Sequence, residues 1–103
     1  MTRLSPAERL ARDLDWNLLR VFLALAEAGS VTGAASLLGL KQPSVSQALK
    51  RLEDRVGTRL AERSPFALTP AGERLMHEAV EVRAAILRLV DGLAEAAQAV
   101  AVW

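Results

Sequence analysis

Apolar positions recur at helical spacing in four stretches of the chain, each set off by capping and stop residues. Before the first stretch, Ser5-Pro6-Ala7-Glu8 has the form of a capping box with proline at the first helical position, which predicts a short helix over about residues 6–13. Asp15 offers a cap for a second helix over about 16–28. There Leu19, Phe22, Leu23 and Ala26 share one face, and Gly29 follows as the stop. Ser30 caps a third helix near 32–38, with Ala34, Ala35 and Leu38 inward and Gly39 at its end. A fourth opens at Pro43 and runs to about 56; Val45, Leu49, Leu52 and Val56 are its core positions and Gly57 its stop. Residues 58–69 are less regular. Arg59–Arg63 and Phe66–Leu68 predict two short strands joined through Ser64-Pro65, and Thr69-Pro70 is another cap-plus-proline helix start.

The last helix is predicted from about 70 to near 98. Leu75, Ala79, Val82, Ile86, Leu89, Leu93, Ala96 and Val100 alternate in steps of four and three, an a/d seam held for more than three heptads. Met76, Val80, Leu87, Val90, Ala94 and Ala97 widen that stripe. At 1.5 Å per residue such a helix is roughly 40 Å long. It outreaches the small body before it, so part of its apolar face needs a second chain. Leu75, Ala79, Val82, Ile86, Leu89 and Leu93 are therefore the expected dimerisation residues.

The third and fourth helices are short and joined by a tight turn containing glycine, the shape of a helix-turn-helix. Small residues at Ala34 and Ala35 let the two axes approach closely. With Val45, Leu49, Leu52 and Val56 inward, the helical wheel turns Pro43, Gln47, Lys50, Arg51 and Asp54 outward; Ser44 and Ser46 lie on the flanks and Gln42 at the tip. Glutamine amides match adenine edges, proline carbons match a thymine methyl, and serine hydroxyls reach bases or phosphates. Lys50 and Arg51 suit phosphates.

Composition changes this picture in two respects. The 103 residues carry 13 Lys+Arg against 12 Asp+Glu, and the isoelectric point is about 8.4, short of the strongly basic balance above ~9 that marks many nucleic-acid binders. The near-neutral total conceals a separation. Between residues 41 and 63, Lys41, Lys50, Arg51, Arg55, Arg59 and Arg63 face only Glu53, Asp54 and Glu62, a net of +3; residues 64–103 carry a net of −2. Such a separation favours an oriented approach to DNA. The second respect is what is missing. Without cysteine there is no disulfide, no thiolate metal site and no thiol nucleophile, and a single histidine leaves no dyad for acid–base chemistry. No enzyme activity, cofactor, metal or small-molecule pocket is expected in this chain. No apolar run approaches the ~18 residues of a membrane span, so a soluble intracellular protein is the expectation. His77 reads as a surface or interface residue, Trp16 as core and Trp103 as a frayed end.

Leu19-Arg20-Val21-Phe22, Ala26-Glu27-Ala28-Gly29-Ser30, Ala34-Ala35, Gln42-Pro43-Ser44-Val45-Ser46, Leu49-Lys50-Arg51-Leu52-Glu53, Gly57 and Leu68-Thr69-Pro70-Ala71-Gly72 together resemble the N-terminal winged helix-turn-helix of LysR-type transcriptional regulators. The resemblance covers about residues 15–75, and the long helix continues it as the family's linker helix. It implies a mainly α fold, a winged helix-turn-helix with a short β-hairpin wing and a long C-terminal dimerisation helix. The corresponding divisions are an N-terminal extension (1–14), the winged helix-turn-helix (15–69) and the linker helix (70–103). It further implies a homodimer on dyad-symmetric double-stranded DNA. Base contacts would come from Gln42, Pro43, Ser46 and Gln47, and backbone contacts from Ser30, Lys41, Ser44, Lys50, Arg51 and, on the wing, Arg63.

Three departures stand out. Lys41 replaces the family's usual Ser or Thr, losing a cap and gaining a cation; Ala61 replaces the usual Phe, with Phe66 available to fill the gap; and residues 1–14 are additional. An effector-binding domain is expected after the linker helix and is not among these 103 residues. The chain is then either the DNA-binding portion of a longer regulator or a short protein without an inducer pocket. The alternative function is a protein–protein module, with the winged helix as scaffold and the heptad helix for docking.

Overall fold

A computed structural model describes residues 5–101 as five helices and a two-stranded sheet: α1 (Pro6–Asp13), α2 (Trp16–Ala28), α3 (Val31–Leu38), α4 (Gln42–Val56), β1 (Ala61–Arg63), β2 (Phe66–Leu68) and α5 (Pro70–Ala101). Trp103 and the side chain of Val100 lie outside the described residues. The helix starts follow from their caps. Ser5, Asp15 and Ser30 each accept a backbone N–H of the first turn, from Glu8, Asn17 and Gly33 respectively. The stops of α2, α3 and α4 are Gly29, Gly39 and Gly57, all left-handed, with φ of 71°, 66° and 81°. Only α4 begins without a side-chain cap, at Lys41.

The core forms around α2. Its Leu18, Val21, Phe22, Ala24 and Leu25 pack with Ala34 and Ala35 of α3, Val45, Leu49 and Leu52 of α4, and Leu60 and Ala61 at the wing. Leu19 and Leu23 pack instead on Ala79 of α5, with Trp16, Leu75 and Met76 half-buried beside them. The single buried face expected for α2 is therefore too narrow, and Ala26 is only half-buried. The helix lies between two partners and buries nearly its whole circumference. Each large side chain buried there contributes about 1.5–3 kcal/mol, so α2 anchors both the α3–α4 pair and α5.

The wing is shorter than the sequence predicts. Strand β1 begins at Ala61, two residues later than expected, and pairs antiparallel with β2 in the register Ala61↔Leu68, Glu62↔Ala67, Arg63↔Phe66. Leu60 lies outside the strands because its N–H goes to Glu53 Oε2 (2.8 Å) and the Thr69 carbonyl accepts from Glu73 N, which leaves only the bond from Thr69 N–H to Leu60 O (3.0 Å) between the two; the Thr69 hydroxyl donates to Arg59 O (2.8 Å). Thr69 also caps α5, accepting from Gly72 N. Ala61 is fully buried, and Phe66 is half-buried against the same core.

Helix α5 spans 32 residues, about 48 Å at 1.5 Å per residue, and the molecule measures 57 × 44 × 22 Å. Its N-terminal half lies on α2, through Leu75, Met76 and Ala79 and an ion pair from Arg83 to Glu27. From Leu87 to Ala99 every side chain is exposed.

Candidate nucleic-acid interface

Turn and helix geometry present one face of α4 outward. Gly39, Leu40 and Lys41 connect α3 to α4, with the N–H of Leu40 returning to Ala35 O (3.0 Å). Val45, Leu49 and Leu52 are 0–1% exposed and hold α4 on α2 and α3. The opposite side carries Gln42, Pro43, Ser44, Gln47, Lys50 and Arg51, all exposed, with Ser46 half-buried at its border. No part of the described chain covers this face. Lys41, Lys50 and Arg51 make no ion pair among the described residues, so their charge is directed to solvent. Lys41 is an exposed cation at a helix N-terminus, where the macrodipole disfavours it. A bound anion would relieve that cost.

Two expected backbone-contact residues have partners within the chain. Ser30 is half-buried, and its hydroxyl oxygen accepts from Gly33 N as the cap of α3. Arg63, at the end of β1, stands 3.6 Å from Glu53 Oε1 with its side chain 39% exposed. An open groove of about 680 Å³ separates α4 from the wing, lined by Lys50, Glu53, Asp54, Gly57, Thr58, Arg59 and Arg63. It is an open, charged concavity between the two elements.

Glu53 is the residue that sequence reasoning missed. It is buried on α4, and its Oε2 accepts the N–H groups of Leu60 (2.8 Å) and Ala61 (3.4 Å). Its position gave a signal: it falls four residues after Leu49, on the inward stripe. A charge there needs partners that lie seven and eight residues further on.

The expected dimer seam divides. Leu75 is half-buried and Ala79 is 1% exposed, both turned onto the chain's own α2. Ile86 is half-buried, whereas Val82, Leu89 and Leu93 are 42%, 61% and 62% exposed. Leu87 and Val90 are exposed beside them. His77 is at the surface. Among the described residues no cluster of His, Asp or Glu could hold a metal ion, and no helix is long and apolar enough to cross a membrane.

A family sequence profile described as "Bacterial regulatory helix-turn-helix protein, lysR family" matches residues 16–73. The chain is 40% identical over 90 residues to the HTH-type transcriptional regulator BudR of Klebsiella aerogenes, covering 85% of this chain and 60% of that protein. It is similar to the DNA-binding domain of BenM in complex with catB site 1 DNA, with a TM-score of 0.79 and 30% identity over 82% of this chain and 97% of that one. It is similar also to the DNA-binding domain of CbnR in its DNA complex, with a TM-score of 0.75 and 32% identity over 82% and 99% of the two chains. The chain spans 60% of BudR and 27% of a further relative, AbaB of Streptomyces antibioticus.

Proposed function

The chain belongs to the lysR family of bacterial regulatory helix-turn-helix proteins, and from that premise we propose that it is a sequence-specific DNA-binding module of a transcriptional regulator, acting as a homodimer on a dyad-symmetric operator. Helix α4 enters the major groove. Gln42, Pro43, Ser46 and Gln47 meet base edges, while Ser30, Lys41, Ser44, Lys50, Arg51 and Arg63 engage the sugar–phosphate backbone. The outer part of α5, through Val82, Ile86, Leu89 and Leu93, pairs with a second copy and sets the spacing of the two α4 helices. Leu75 and Ala79 serve the chain's own body. Acting on chromosomal DNA, the protein works in the bacterial cytoplasm at the nucleoid.

One observation carries this reading: the uncovered polar and cationic face of α4 from Gln42 to Arg51, backed by three fully packed residues. The BenM and CbnR domains, whose structures hold DNA, lend support through shared fold and sequence. Selection from a random duplex pool tests it. A dyad-symmetric consensus is expected, with binding that weakens steeply as salt rises. No salt-sensitive binding to any duplex would overturn it, and would favour a protein-docking role for the apolar side of α5.

A further inference from the structure

Glu53 is the one buried charged residue among the described residues. A carboxylate out of water must be compensated, and its partners lie at the wing. Oε2 takes the N–H groups of Leu60 and Ala61 and lies 3.7 Å from Arg59 Nε; Oε1 lies 3.6 Å from Arg63 Nη2. The core does not need this charge, because an apolar side chain would continue the stripe of Val45, Leu49 and Leu52. The carboxylate instead ties the DNA-facing helix to the entrance of the wing and faces both of its arginines. Arg63 stands at the rim of the groove shared with Lys50, charge-paired on one side and open to solvent on the other.

We propose that Glu53 is a positioning residue for DNA recognition: it fixes the wing against α4 and holds Arg63 charge-paired, so that Arg63 meets a phosphate only when α4 is seated on its own site. This rests on the DNA-binding reading above. On random DNA the α4 cations act alone; on the correct site the held guanidinium adds its contact. Glu53 thereby suppresses indiscriminate binding.

The test compares random duplex with the duplex selected from the pool, across a salt titration. Glu53→Gln keeps an oxygen for the Leu60 and Ala61 N–H groups but no charge for Arg63. It is expected to steepen the salt slope on random duplex by about one unit and to tighten that binding about fivefold at ~0.15 M salt, the effect of one added phosphate contact. The selected-to-random ratio falls correspondingly. In an Arg63→Gln background the Glu53→Gln effect should vanish, which a purely structural role would not produce. Arg63→Gln alone covers the case in which Glu53→Gln fails to fold. It should weaken binding to the selected duplex and leave the random-duplex slope unchanged. An unaltered slope in Glu53→Gln, an effect that persists without Arg63, or a random-duplex slope flattened by Arg63→Gln would each overturn the proposal. A wild-type chain that binds no duplex would remove the DNA reading itself, whereas a wild type that binds normally beside an unresponsive Glu53→Gln removes only the role of Glu53.

Discussion

Gln42 and Lys50 lie about two turns apart on the same exposed side of α4, yet they are expected to fail differently. An amide at the helix tip has the donor–acceptor pair to read a base edge; an ammonium two turns later is a point charge on a flexible stem. Gln42→Ala should cost ~1–3 kcal/mol on the selected duplex and less on random DNA, relaxing preference at one base pair. Equal losses on both would show that Gln42 does not read sequence. Lys50→Ala should weaken all duplexes alike and flatten the salt slope by about one unit, measured by mobility shift or anisotropy at several salt concentrations. A slope that stays put would remove Lys50 from the phosphate contacts.

Elements were legible in the sequence wherever a boundary is written in local chemistry. The ends of α1 and α2 coincide with the reading from Ser5, Asp15 and Gly29, and α3, α4 and α5 differ by one to three residues at an end. The outward face of α4 was legible too, because one apolar stripe leaves one polar side. Periodicity failed where an element has two neighbours: α2 buries Leu18, Val21, Ala24 and Leu25 as well as the predicted face, since α5 lies on one side and α3 and α4 on the other. It also failed where a contact closes across a turn, as at Glu53 and at the start of β1. Gly72 shows the same long-range constraint. A Cβ there would stand 2.0 Å from the carbonyl oxygen of Leu60, so the wing and the first turn of α5 pass at backbone distance. Gly72→Ala should destabilise the fold by about 1–3 kcal/mol through this overlap, seen as a lower urea midpoint. An unchanged midpoint would mean that the wing separates from α5 without cost.

The whole molecule is a small packed body with one long projection whose outer residues are exposed, and on the proposed reading a second copy covers its apolar side. Leu89 is 61% exposed on that projection. Placing a charge there by Leu89→Lys forfeits roughly 1.5–3 kcal/mol of burial in each protomer, so sedimentation should report a dimer more than about tenfold weaker. A mutant dimer as tight as the parent would locate the contact elsewhere. The thirteen exposed residues from Leu87 to Ala99 carry a further consequence. A peptide of that length is only marginally helical on its own in water, so if the proposed dimer forms, its order depends on how many copies are in solution. Amide hydrogens beyond Leu87 should exchange quickly in dilute protein and slow as concentration rises, while those of α2 hold one rate throughout. The cell's supply of the protein would then set, by mass action, both how much of the projection is formed and how much of the protein can grip two half-sites at once.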